Sequence, residues 1–340
     1  MYKISLITGD GIGPELSESV TSVLEAIHDR LDVKFQIENL LAGDIALEKY
    51  GKALPDETVD SIKKSDACMK APVGESAADV IVVLRRMLGL YANIRPAKSY
   101  PYMPAIKENV DLVIVRENTE DLYTGQEFEV VGAAVAFRII SENASKKIAK
   151  HAFETAVQRN GKKRVTCVHK SNVMRKTDGL FSRICEGVAK DYPQIQFDQM
   201  YVDACAMNLI RKPESFDVIV TTNLFGDILS DESAEVVGGL GMAPAANIGD
   251  DFALFEPVHG AAFDIAGKGI ANPSSFILSA KMMLDWLGAK RGDQKCINAA
   301  CKLESSVYGV VKKGFKTQDI GGDKTTAQFT KEIVSNLLNV

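Results

Sequence analysis

The 340-residue chain reads as an α/β protein. Short β-branched runs alternate with segments of helical periodicity along most of its length. The runs are short and apolar or β-branched, as expected of mainly buried strands. Hydrophobic residues make up 46% of the chain, enough for a sizeable core, and the length suggests about two domains on the usual ~100–200 residues each.

The elements follow in order. KISLI (3–7) is a short apolar strand. Leu16, Val20, Leu24, Ile27 and Leu31 then recur on one helix face. VKFQIE, ACMKAPV, LVIVREN, VTCVHK and DVIVTT are further strand candidates, several of them followed by helical patterns. EFEVVGAAVAFRII (127–140) has no helix of its own and reads as paired strands, an arm. The C-terminal hundred residues read as mostly helical, with Phe276, Ile277, Ala280, Met283, Leu284 and Leu287 as one example. No repeat, low-complexity tract or long linker marks a domain boundary.

Composition excludes several function classes. A formal charge of −5 argues against non-specific nucleic-acid binding, which needs basic surface. No run approaches the ~18–20 apolar residues of a membrane span. MYKISLITGDG lacks the long apolar stretch and cleavage site of a secretory signal. The six cysteines are scattered without a CxxC pair, which suits a reducing cytosol, so a cytoplasmic location is expected. The four histidines show no zinc spacing.

Asp227 and Asp231, in NLFGDILSDESAEVVGG, stand four apart in a helical segment, so both carboxylates project from one face. Like charges at that spacing repel, and a divalent cation with a taste for oxygen ligands reverses the sign. The alternative is a pair of solvated acids near a helix start. GDGIGPE (9–15) follows a strand and opens a helix, but Pro14 stands where the third glycine of a dinucleotide fingerprint would fall. It is a tight strand-to-helix turn or lies near a nucleotide, and not a standard Rossmann motif. Arg85, Arg86 and Arg95, with Arg116, recur in or beside apolar segments, where a guanidinium needs a partner. That partner is an internal acid or a polyanionic substrate. Tyr123 sits among polar and turn residues, and a core tyrosine packed in the fold is the default alternative. Lys170 ends a strand at the mouth of an α/β sheet, where sites form, or is a surface lysine. Asp203 ends an apparent strand before ACAMNLI, where a helix N-cap is the alternative. Local physics does not bring these residues together.

GDGIGPE, YANIRPAKS, VIVRENTEDLYTG, VHKSNVMRKTDGLF, VDACAMNL, TTNLFGDILSDE, ANIGDDFALFEPVHGAAFDIAGKGIANP and DIGGDKTT occur in one order across nearly the whole chain. In these motifs the chain resembles the isopropylmalate/isocitrate dehydrogenase family of metal-dependent β-decarboxylating dehydrogenases. Phe263 stands where the family usually carries proline. The resemblance implies a two-domain α/β fold around a cleft, with a discontinuous first domain (1–98 and 239–340) and a second domain (99–238) that supplies a dimer interface and an arm. It implies a homodimer with shared active sites and a small 3-substituted malate as substrate. It also implies metal ligands Asp227 and Asp231 from one chain with Asp203 from the partner, for Mg²⁺ or Mn²⁺. Arg85, Arg95 and Arg116 become clamps on the malate carboxylates, and Tyr123 and the partner's Lys170 an acid/base pair. His259, Gly260, Ala261, Asp264, Ile265, Asn272 and Glu256 become cofactor contacts. A carboxylate at Asp264 would accept from a free ribose 2′-OH and repel a 2′-phosphate, which favours NAD over NADP.

Substrate choice is expected to rest one helix turn before Arg85. Asp79, Ile81 and Val82 stand where isocitrate enzymes of the family place serine and asparagine, and some homoisocitrate enzymes an extra arginine. Burying an unpaired carboxylate there costs several kcal/mol. Burying an isopropyl group contributes roughly 2 kcal/mol. Both favour 3-isopropylmalate, and GESAADV resembles the archaeal-type branch of isopropylmalate enzymes. Homoisocitrate, isocitrate, and malate or tartrate activities are the alternatives within the family. A non-catalytic regulatory subunit, or a nucleotide-binding module without chemistry, is disfavoured by the joint presence of Tyr123, Lys170, Asp203, Asp227 and Asp231.

Overall fold

A computed structural model describes residues 1–337. The first third of the chain runs β1 (Tyr2–Ile7), α1 (Gly13–Arg30), β2 (Phe35–Leu40), α2 (Asp44–Tyr50), α3 (Asp56–Lys63), β3 (Ala67–Lys70), α4 (Ala77–Met87), β4 (Ala92–Lys98). The middle runs β5 (Asp111–Glu117), β6 (Glu127–Val130), β7 (Ala133–Ala136), α5 (Glu142–Arg159), β8 (Arg164–His169), α6 (Thr177–Ala189), β9 (Gln196–Tyr201), α7 (Val202–Arg211), β10 (Val218–Thr221), α8 (Asn223–Val237). The remainder runs β11 (Pro244–Ile248), β12 (Ala253–Pro257), α9 (Ser274–Arg291), α10 (Gln294–Lys312), α11 (Thr326–Leu337). Two central strands, β11 and β12, interrupt the expected helical C-terminal stretch. Each is five residues long, and PAANI and ALFEP carry too little alternation to announce themselves.

Ten strands form one sheet in the order β2-β1-β3-β12-β11-β4-β5-β10-β8-β9. Pairing is parallel at both ends and antiparallel for β12–β11, β11–β4 and β4–β5 in the middle. The C-terminal strands β11 and β12 thus insert between β3 and β4 of the N-terminal third. The arm-like segment forms its own hairpin, β6–β7, with every residue of both strands exposed.

Side chains alternate between the faces of a strand, so the sheet has two distinct surfaces. One surface is a continuous apolar layer. Ile4, Leu6, Ala67, Met69, Phe255, Ala246, Ile94, Val115, Val220 and Cys167 all belong to a single core cluster under α1, α5, α9 and α10. The other surface carries two separate apolar patches. Ile7, Cys68 and Leu254 pack with Val80 and Leu84 of α4. Ile114, Ile219 and Val168 pack with Leu209 of α7 and Leu229 of α8. Between those patches the alternate positions of β3, β12, β11, β4 and β5 are Lys70, Glu256, Asn247, Asn93, Arg95 and Arg116, all buried and all polar. Among the described residues no helix is long and apolar enough to cross a membrane.

Candidate active site

The polar stripe is the floor of the site, and α4 and α8 are its walls. Arg85 lies on the last turns of α4 and is buried. Its Nε donates to Asn247 (2.9 Å) and its Nη2 to Glu256 (3.2 Å). Lys70 reaches the same carboxylate from β3 at 2.8 Å. Burial raises the Glu256 pKa, but Lys70 and Arg85 outweigh it and hold the group at about 2. Asn247 knits the floor together by accepting from Arg85, Asn93 and Asn118 and donating to Glu256 at 2.8 Å.

Arg95 and Arg116 point from β4 and β5 at α8. Arg95 Nη1 meets Asp227 (3.1 Å), Ser230 (2.6 Å) and Asp231 (3.3 Å). Arg116 donates to Asn223 (3.0 Å) and to Asp227. Only 1% of its side chain is exposed, yet its Nη2 has no partner. Burial first, then the neighbouring Arg95 and Arg85, push its pKa down to about 9. Helix α8 can lie this close because it carries Gly226. A Cβ there would come within 2.4 Å of Arg116 Cγ. Tyr123, on a 3-10 turn after β5, stacks under the Arg116 guanidinium (5.0 Å) and donates its hydroxyl proton to Asp227. Burial, against the opposing pull of Arg116, raises the Tyr123 pKa, so the phenol stays protonated at neutral pH.

Asp227 and Asp231 share one face of α8, as their spacing implies. For Asp227, burial is overcome by Arg116 and Arg95, and the pKa is lowered. For Asp231, burial wins and Asp227 adds to the rise. Their side chains remain 37% and 53% exposed. Oxygen-only donors one turn apart and open to solvent suit Mg²⁺ or Mn²⁺ as half of a coordination sphere. Asp203 does not join them. It lies in the first turn of α7, one residue inside the helix rather than at the strand end or N-cap, and pairs with Lys170. That hydrogen bond lowers the Asp203 pKa. Among the described residues no group of three or more acidic, histidine or cysteine side chains could hold a metal ion. One chain therefore supplies two separate fragments, Tyr123–Asp227–Asp231 and Lys170–Asp203.

The loop after β12 carries most of the expected cofactor residues. It is fixed to the GDGIGPE turn by the Ile12 N–H donating to the Ala261 carbonyl at 2.8 Å. Gly11 (φ +57°) permits this, because a Cβ would lie 2.1 Å from that carbonyl oxygen. His259 is partly buried, which lowers its pKa. Gly260 and Asp264 are exposed, while Ile265 leans on the main core. Asn272 donates to Asp319 at 2.9 Å. A groove of about 540 Å³ beside them is lined by Pro104, Glu235, Gly239, Gly241 and Asp319. At Gly241 a Cβ would meet Asp319 at 2.6 Å and Asn272 at 3.2 Å, so only glycine lets these two side chains pack along the groove wall. Glu256 is not on that loop face. It is enclosed between Lys70 and Arg85, with the substrate-side arginines. Ile81 and Val82 are half-buried on α4, and Ile81 also packs on the patch beneath that helix. Phe263 is 57% exposed and lies over Gly74, ahead of α4. A wider groove of about 600 Å³ between α1 and α11 involves none of these residues.

Sequence reasoning missed Lys70, Asn93, Asn118 and Asn247. The available signal was period-two polarity inside apolar strands, as in Asn93 and Arg95 between Ala92, Ile94 and Pro96.

Convergent arginines, a carboxylate pair and a tyrosine on one sheet face define an α/β enzyme built to hold a small polyanion. Comparison makes this specific. Residues 3–335 match the isocitrate/isopropylmalate dehydrogenase family, and the chain belongs to that family. It is 52% identical to the 3-isopropylmalate dehydrogenase of Archaeoglobus fulgidus, over 99% of this chain and 100% of that protein. It is 47% identical to the isocitrate/homoisocitrate dehydrogenase of Thermus thermophilus, over 99% and 98%. The crystal structure of isocitrate dehydrogenase from Methylococcus capsulatus superposes with a TM-score of 0.93 at 43% identity, covering 99% of this chain and 100% of that one.

Proposed function

We propose that this protein oxidises and decarboxylates 3-isopropylmalate to 2-oxo-4-methylpentanoate, a step of leucine biosynthesis, using NAD and Mg²⁺ or Mn²⁺ as a cytoplasmic homodimer. The observation that carries the reading is Arg116. It is a buried guanidinium with one unpartnered nitrogen, set between Tyr123 and the α8 carboxylates. An orphaned buried donor is costly unless a ligand takes it, and a substrate carboxylate is the natural acceptor.

Arg85, Arg95 and Arg116 grip the carboxylates of the malate core. Ile81 and Val82, one turn before Arg85, face the C3 substituent and favour an isopropyl group over a charged one. When bound, the metal supplies Lewis-acid polarisation of the 2-hydroxyl and carboxylate, and NAD supplies the hydride acceptor. Asp227 and Asp231 would hold that metal together with the partner subunit's Asp203. The partner subunit's Lys170 takes the hydroxyl proton, directly or through water. Tyr123, kept protonated by burial, returns a proton to the carbon that loses CO₂.

Two fragments that do not meet within one chain support the shared-site dimer. So do exposed apolar residues around them, with Phe128, Val131 and Phe137 on the arm segment and Met207, Ile210 and Ile228 on α7 and α8. We read residues 1–98 with 239–340 as one domain and 99–238 as the other. The insertion of β11 and β12 beside β3 and β4 supports that division.

The deciding experiment is a steady-state panel of isopropylmalate, isocitrate, homoisocitrate and malate with NAD and NADP. Isopropylmalate with NAD should give the highest kcat/KM. A wild-type preference for isocitrate would sink the pocket reading and leave the family standing.

A further inference from the structure

Arg138 follows β7 at the root of the arm and is unused in the mechanism above. Its Nε donates to Asp121 Oδ1 (2.7 Å), and its Nη2 donates to Asp121 Oδ2 (3.3 Å) and to Thr222, the residue before α8 (2.9 Å). Its Nη1 forms an ion pair with Asp178 at 3.1 Å. Both carboxylates are fully buried. They lead to different chemistry. Asp121 accepts from the Leu122 N–H (2.9 Å), which starts the 3-10 turn that carries Tyr123, and from the Leu224 N–H (3.2 Å) at the head of α8. Asp121 holds φ +70° and ψ −145°, a conformation a residue with a side chain adopts only when its surroundings enforce it. Asp178 accepts from the backbone N–H of Lys170 at 2.6 Å and so fixes the start of the segment from which Lys170 reaches out.

We infer that Arg138 is a positioning residue that ties the acid of one active site to the base of the other. The inference rests on the shared-site reading, in which Tyr123 serves its own subunit's site and Lys170 the partner's. The Asp121–Arg138–Asp178 chain is then a hydrogen-bonded and ionic link between two sites in one dimer. A shift of the arm root would displace both groups together, and misplacement of about 1 Å can cost up to ~10² in rate.

Hybrid dimers separate the two claims. One subunit carries Tyr123→Phe and the other Lys170→Met, purified through different tags. Each homodimer should be nearly inactive, and the hybrid should recover one intact site and about half the wild-type kcat. Failure to recover activity would overturn the shared-site reading itself. Asp121→Asn is then added to one subunit at a time. It should lower hybrid kcat on the order of tenfold, with little change in KM, only in the subunit whose Tyr123 is intact. Asp178→Asn should do so only in the subunit whose Lys170 is intact. Arg138→Met should act from either. Sedimentation confirms that each hybrid remains dimeric. Should Arg138→Met not fold, Arg138→Lys, which keeps the charge but loses the fork, should give the same two-sided loss at smaller size. A loss from one subunit only, or from neither, with the Arg138 variants would overturn the role of Arg138, while recovery in the parent hybrid keeps the shared site.

Discussion

The two surfaces of the central sheet obey different rules. On one, Met69, Phe255, Ala246, Ile94 and Val115 form part of an unbroken apolar layer. On the other, their strand neighbours Lys70, Glu256, Asn247, Asn93, Arg95 and Arg116 are buried and polar. The same five strands serve both, because alternate residues point to opposite sides. Apolar burial holds the fold on the first surface. The second carries the charges that chemistry needs, and it tolerates their burial because each has partners on strands or helices far apart in sequence, with Arg116 Nη2 left over.

The largest expected effect tests the polar surface at its rim. EDTA should abolish turnover, and Mg²⁺ or Mn²⁺ should restore it. Asp227→Asn should weaken metal dependence far more than it lowers the melting temperature. Undiminished activity in a chelated sample would remove the metal from this site. Next, Tyr123→Phe should reduce kcat by roughly 10²–10⁴, the usual range for lost acid/base catalysis, while substrate binding and stability change little. An unaltered kcat would return Tyr123 to a packing role.

The two surfaces can also be set against each other directly. Met69→Ala on the apolar side should cost about 2–5 kcal/mol in stability and leave kcat of the folded enzyme nearly intact. Glu256→Gln strands Lys70 and Arg85 without their anion. It should cost about 3–5 kcal/mol and impair substrate binding as well. Denaturant titrations and kinetics on both variants check this, and the contrast fails if the two lose activity alike. Acid titration probes the same carboxylate. The folded-state pKa of Glu256, about 2, lies below its ordinary 4.5. Its contribution, roughly 3 kcal/mol, is therefore fully present above about pH 4.5 and lost as pH falls toward 2. The stability–pH profile of Glu256→Gln should be flatter across that window. The smallest expected effect concerns the cofactor. With Asp264 at the ribose, NAD should exceed NADP in kcat/KM by about tenfold or more, one unfavourable contact's worth. Equal use of both would show that Asp264 does not meet the ribose.

Much of this was readable from local pattern. The six strand candidates, helix α1, the hairpin arm and the one-face pairing of Asp227 with Asp231 all follow from periodicity within a dozen residues. Arg85, Arg95 and Arg116 stood out because guanidinium groups interrupted apolar runs. The polar floor was not readable in this way. Asn247 meets Arg85 across 162 positions and Asn93 across 154, and no local rule selects such partners. Arg138 was passed over for the same reason, since in the sequence it is one charge in an arm. The lesson from Asp203 is narrower. A strand that runs directly into a helix, as β9 into α7, leaves the join uncertain by a residue or two.

The unbroken apolar layer has a consequence for how the molecule comes apart. It joins Ile4 and Met69 at one end of the sheet to Val220 and Cys167 at the other, so neither half owns a core of its own on that side. Cooperativity should follow. The chain has one tryptophan, Trp286 of α9, packed edge-on against Phe255 of β12 at 6.2 Å. Its fluorescence reports one end of the layer, and far-ultraviolet circular dichroism reports all of it. In urea the two signals should trace a single superimposable transition, as a shared layer requires.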